Sequence, residues 1–186
     1  MRNDWRIAAM RVGWFIVAAT AGFSAGAPQS RASNQLDKAA EQVTGLFMQS
    51  CMQFAGDNDG LRQWARKIAL PELPAAVRDR FLYGLPGIVF DASNKDGKFV
   101  LVSEDGGSCS VIAQIASGTS TIRDLEKDMN DARITYRMTT AKRDSEERLL
   151  QHREYTASQG DRGWLLLVST VEGEAGGQVM LTANRN

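Results

Sequence analysis

The sequence predicts an α+β domain: N-terminal helices, then a curved antiparallel sheet of about seven strands, interrupted by one helix and fastened by one disulfide. Three observations predict it. Apolar residues recur at helical spacing up to about residue 83, and beyond that they alternate between Asp-Gly and Gly-Gly turn signals. The only two cysteines, Cys51 and Cys109, fall on the apolar side of a helical stretch and of a strand-like stretch. Short turns make successive strands antiparallel.

The spacing of Leu36, Ala39, Ala40, Val43, Leu46, Phe47, Cys51 and Phe54 predicts a helix over 35–55, with Asn34 as its cap and Asp37 in its first turn. Asp57-Asn58-Asp59-Gly60 breaks it. Leu61, Trp64, Ala65 and Ile68 predict a second helix, capped by Asp59 and stopped by Pro71. Pro74 suits the start of a third, which carries Val77 and Phe81 and ends at Gly84.

Strands follow at 88–92, 99–103 and 108–115, with Lys95-Asp96-Gly97 as the first hairpin turn. Cys109, Val111, Ala113 and Ile115 are expected on one face of the third. A fourth helix is expected over 121–130, capped by Ser120 or Thr121, with Ile122, Leu125 and Met129 as its apolar stripe. Four more strands are predicted: 133–140, a polar one at 149–157 suited to an edge, an apolar central one at 164–171, and 178–183. Ala141–Glu146 reads as a charged turn.

The chain opens with Arg2, Arg6 and Arg11, then a mostly apolar run from Val12 to Phe23, then A-x-A spacings at Ala19–Ala21 and Ala25–Ala27. That is the pattern of a cleaved signal peptide over residues 1–27, leaving one domain over 28–186. The apolar run is short of the roughly twenty residues of a membrane span. An uncleaved anchoring helix is the alternative. The reading places the mature chain in the periplasm or outside the cell, with no stable membrane anchor.

In such a compartment two cysteines form a disulfide, and a reactive cysteine is the alternative. Without Arg2, Arg6, Arg11 and Asp4, the 22 basic and 22 acidic residues become 19 and 21, a net charge of −2. A near-neutral chain lacks the basic footprint of a nucleic-acid binder.

Several residues resemble an uncharacterised family of small exported proteins and lipoproteins of Gram-negative bacteria. They are Cys51, Gly56, Trp64, Phe81-Leu82, Gly84, Pro86-Gly87, Gly97, Phe99-Val100-Leu101 and Cys109-Ser110-Val111, spanning about residues 45–115. The chain departs from the lipoprotein members in having no lipidated cysteine. The resemblance implies the compartment and the paired cysteines. It implies no catalytic residue.

His152 is the only histidine, which argues against a catalytic triad or a histidine-rich metal site. It reads as an ordinary surface residue. Asp57–Gly60 hints at a calcium loop, but Ala55 and Arg66 would occupy its first and twelfth positions, and neither is a ligand. No catalytic residue, metal ligand or cofactor is assigned. Trp64 and Trp164 read as core, and Asp91 and Asp96 as flanks of a hairpin. Glu146-Glu147 and Glu172/Glu174 are the carboxylate pairs that a small hydrolase would draw on.

Arg133 and Arg137 are expected on one strand face with Arg153 on a neighbouring strand, where their guanidinium forks suit a partner's carboxylate or phosphate. The expected function is non-catalytic binding of another protein, for example by an immunity protein that neutralises a secreted toxin. An accessory part of an envelope or secretion assembly and a small carboxylate-dependent hydrolase are the alternatives.

Overall fold

The computed structural model describes residues 27–143, 150–171 and 176–186. It has the α+β architecture that the sequence predicts. The helices are α1 (Ala27–Gln49), the single turn α2 (Cys51–Phe54), α3 (Asn58–Lys67), α4 (Ala75–Leu82) and α5 (Gly118–Asp131). The strands are β1 (Gly87–Asp91), β2 (Phe99–Glu104), β3 (Cys109–Ala116), β4 (Thr135–Arg143), β5 (Leu150–Gln159), β6 (Arg162–Val171) and β7 (Gly177–Arg185). They form one open sheet in the order β1-β2-β3-β7-β6-β5-β4, with every neighbouring pair antiparallel.

Two meanders therefore meet at β3–β7. Helix α5 carries the chain from β3, in mid-sheet, to β4 at the far edge, and the second meander walks back. The predicted signal segment lies outside the described residues, apart from Ala27, which begins α1.

Helices α1, α2, α3 and α5 cover one face of the sheet. Ala39, Val43 and Phe47 of α1, Leu61 and Ala65 of α3, and Ile122, Leu125 and Met129 of α5 are buried there. They meet Phe90, Leu101, Val111, Leu181, Leu166 and Tyr155 from six strands. Helix α4 lies on the opposite face, where Leu82 packs on Val89 and Val102. Alternation along β1 and β2 makes this possible, since Val89 and Phe90 point to opposite sides.

The disulfide joins Cys51 to Cys109, with Cα atoms 5.2 Å apart and both residues buried. It ties the start of α2 to the start of β3. Beside it, the Arg62 side chain of α3 donates from Nε to Ser103 Oγ (3.1 Å) and from Nη2 to the Ser103 carbonyl (3.1 Å), and pairs with Asp105. Gly56, at φ 82°, links the same region by donating its N–H to the Gly107 carbonyl (3.2 Å). The left-handed turn there suits glycine because other residues pay for their Cβ.

Several local expectations are corrected. The predicted helix 35–55 is two helices, broken at Ser50. Ser50 sits at φ −108° and ψ −79°, off the regular helical values, while both its N–H (2.9 Å) and its hydroxyl (2.6 Å) donate to the Leu46 carbonyl. Asn34 lies inside α1 and caps nothing. Asp57 caps α3 by accepting from Gly60 N (3.0 Å), in place of Asp59, and Ser117 caps α5 by accepting from Ser120 N (3.2 Å).

Ile115 is exposed (52%), because the β3–β7 register shifts between Ala113 and Ala116 and buries Ala116 instead. Ala141, Lys142 and Arg143, predicted as the start of a charged turn, continue β4, and the rest of that predicted turn lies outside the described residues. β5 is not an edge: it is flanked by β4 and β6.

Candidate functional site

Arg133, Arg137 and Arg153 are not brought together. Arg133 has φ 57° and lies outside β4. It ends α5: its N–H donates to the Asn130 carbonyl (2.9 Å), and Ile134 N–H reaches back to the Met129 carbonyl (2.8 Å). That six-residue closure around a left-handed residue terminates a helix and cannot also be strand. Arg153 is on β5, next to β4 as expected. It faces the helical side, where it pairs with Glu126 of α5 at 3.6 Å. Arg137 is opposite Thr156, one parity step away, and so stands on the other face, exposed.

Glu126 also accepts from the Tyr155 hydroxyl (2.8 Å). Burial first, and that bond second, push the Tyr155 phenol up to about 12. The Arg153–Glu126–Tyr155 arrangement thus fastens α5 to β5. Gln159 adds a bond to the Ala132 carbonyl (2.7 Å) at the end of α5.

The sheet's second face is only partly covered. Helix α4 shields β1 and β2. Across β3, β7 and β6 the register sets Ile112 beside Met180 and Ser169, and Ser110 beside Thr182 and Leu167. The Ser110 and Thr182 hydroxyls share a buried hydrogen bond (2.8 Å). Ile112, Met180 and Leu167 are half-buried, and Leu165 is exposed (46%). His152 is half-buried on this face, with Nδ1 2.9 Å from Ser169 Oγ.

The two sheet edges differ. The β1 edge is closed by the segment before α4. Leu73 N–H donates to the Val89 carbonyl (2.8 Å), and Asp91 N–H to the Pro71 carbonyl (2.8 Å). No described strand or helix pairs with the outer edge of β4.

Sequence reasoning missed a groove of about 460 Å³ between α1 and α5. Asp37, Glu41, Asp124 and Asp128 line it, together with Arg123 and Lys127. These acids are spread over two helices far apart in sequence, so no local motif announces them. Desolvation holds the Asp128 carboxyl above its usual range. Asp124, Asp131 and Glu41 push it the same way, and Lys127 opposes them. Asp37 accepts from Ser120 Oγ (2.6 Å) and joins α1 to α5.

A second groove of about 600 Å³ shares Asp128 and runs past Met48 and Trp64. Trp64, predicted as core, is half-buried: it packs against the main core and beside Phe54, with ring centroids 6.1 Å apart. Trp164 is buried, with the Arg162 guanidinium 5.8 Å from its ring.

Asp57 acts as a helix cap, and Asp91 accepts from Ser93 N (2.9 Å); the Ser93 hydroxyl first, that N–H second and Lys98 last keep its carboxyl below the usual range against the effect of burial. Asp96 sits in the first hairpin turn, where its N–H donates to Asn94 Oδ1 (2.8 Å). The pairs Glu146-Glu147 and Glu172/Glu174 lie outside the described residues. Among the described residues no three His, Cys, Asp or Glu side chains are grouped as a metal site requires. No described helix is long and apolar enough to cross a membrane. Comparison with protein-family models, with curated proteins and with solved structures finds no match.

Proposed function

We propose that this chain is an exported, non-catalytic protein whose role is to bind another protein. The observation that carries the reading is the second face of the sheet. There Ile112 of β3 packs at the margin of the cluster under α4, and Met180, Leu167 and Leu165 carry the apolar surface on across β7 and β6, outside that cluster. An apolar strip rimmed by polar residues is the usual composition of a protein-binding patch. Export is supported by the basic and apolar leader and accords with a disulfide, which persists in an oxidising compartment.

Affinity capture from the periplasm, after brief cross-linking, tests it. One stoichiometric partner is expected, and Leu165→Glu should release it while leaving the melting curve unchanged. Recovery of no stoichiometric partner overturns the reading. The partner's nature separates the two forms. A toxin indicates an immunity protein, and a membrane-embedded complex indicates an accessory component of an envelope or secretion assembly.

A second reading, a carboxylate-dependent hydrolase, is favoured by one observation. The α1–α5 groove holds Glu41 and Asp128, and the latter's carboxyl is held above its usual range. Two carboxyl groups lining one groove, one of them with its pKa raised, are the kind of groups that glycoside cleavage uses. Cell-wall glycan hydrolysis that is lost in both Glu41→Gln and Asp128→Asn would establish it. Absence of hydrolysis by the wild-type chain would end it.

A further inference from the structure

We propose that the outer edge of β4 receives an acidic, extended segment of a protein partner, which adds to the sheet as an eighth strand. This deepens the protein-binding reading above and rests on it. The edge is long: nine residues, Thr135–Arg143, or about 30 Å at the usual rise of an antiparallel strand. Every second residue of an edge strand turns its N–H and C=O outward, and such a row is a template for another strand. On β1 the same template is already occupied by the chain's own Pro71–Leu73 segment.

Charge decides which strand fits. Residues 133–143 contain Arg133, Arg137, Lys142 and Arg143, and no acid. Arg133, Arg137 and Lys142 are exposed, and none forms an ion pair with a described residue. A second copy of this chain would set these cations against their like, so self-pairing is disfavoured. An acidic strand meets complementary charge instead.

The register sharpens the requirement. Met138 is opposite Tyr155 and Thr140 is opposite Glu154, so Thr139 is an extra residue in β4. Its insertion shifts the parity of everything after it. Arg137 lies opposite Thr156 and Lys142 opposite His152, which are four residues apart on β5 and so on one face. Without the bulge Lys142 would point to the helical side. Two cations thus stand on the free face about 14 Å apart. An unbulged incoming strand spans that interval in four residues, so its acids should be spaced i, i+4. Glu154 lies between the two on β5 and pairs with neither.

The test uses three nine-residue peptides. One has Glu at i and i+4 among Thr and Val. The second has Lys at both positions, and the third repeats the first with alternate backbone nitrogens methylated along one edge. Binding to the full mature chain is read by fluorescence anisotropy at low and high salt. The Glu peptide should bind, and should weaken as salt is raised. The Lys and N-methylated peptides should each bind at least tenfold more weakly.

Arg137→Glu/Lys142→Glu should reverse the preference between the Glu and Lys peptides. Should that variant fold poorly, Arg137→Gln/Lys142→Gln should erase the preference. Equal binding of the Glu and Lys peptides overturns the proposal. So does indifference to N-methylation, or a wild-type homodimer that blocks the edge. A captured partner retained by the charge-reversed chain sinks the edge and leaves the broader reading standing. Peptide binding without a captured partner does the reverse.

Discussion

Reducing the Cys51–Cys109 bond should cost the fold about 4 kcal/mol. The two cysteines are 58 residues apart in sequence. Closing a loop of that length removes about 14 cal/mol/K of entropy from the unfolded chain, which is about 4 kcal/mol at 25 °C. The effect acts on the unfolded ensemble, so it should appear even though the native packing around α2 and β3 is unchanged.

Urea unfolding of the oxidised and the reduced mature chain, followed by tryptophan fluorescence, measures it. For a slope of about 2 kcal/mol/M the midpoint should fall by about 2 M. Reduction leaves both buried sulfurs in place, and so separates loop entropy from cavity formation. Cys51→Ala/Cys109→Ala should cost somewhat more, since both sites are buried and lose contacts. A midpoint shift below about 0.5 M on full reduction, with the slope unchanged, would refute the argument that this bond limits the unfolded chain.

Arg133→Gly should raise stability by about 1 kcal/mol in the same assay, because residue 133 has φ 57° and glycine takes that conformation without a Cβ penalty. No gain would mean that the Arg133 side chain holds a compensating contact. Thr170→Val should be neutral or stabilising by about 1 kcal/mol, since Thr170 Oγ1 is buried with no hydrogen-bond partner among the described residues. A loss above that size would show that the hydroxyl is satisfied.

Tyr155→Phe should cost about 1 kcal/mol near neutral pH by removing the bond to Glu126. It should also change the alkaline limb. The folded phenol titrates near 12 against 10 for an ordinary one, so its contribution is complete below pH 10 and is lost as pH rises towards 12. The wild-type chain should lose stability over that window more steeply than the variant, and identical slopes would contradict the shift.

The legible features were those that repeat along the chain. Helical spacing placed Val43, Phe47, Leu125 and Met129 in the core, and alternation did the same for Leu101, Val111 and Leu181. The two cysteines were placed inward by two different periodicities, and they are bonded. What failed depended on single hydrogen bonds or single insertions. The first helix breaks at the single residue Ser50, Asp57 displaces Asp59 as a cap, and one irregularity turns Ile115 outward. None of these alters a pattern of apolar residues, so no periodicity could disclose them. The arginine grouping failed for the same reason, since the α5 terminus takes Arg133 out of the strand.

Hydrophobic rhythm, turn residues and two cysteines were enough to specify the class of fold, because burial of apolar side chains is dictated by spacing along the chain. The order of the strands, the placement of β4 rather than β5 at the edge, and the meeting of Glu41 with Asp128 came from tertiary structure alone. Those features rest on which elements pack together after the α5 crossover. Contacts between residues distant in sequence leave no local trace along the chain, and the apolar sheet face and the α1–α5 groove are made of such contacts.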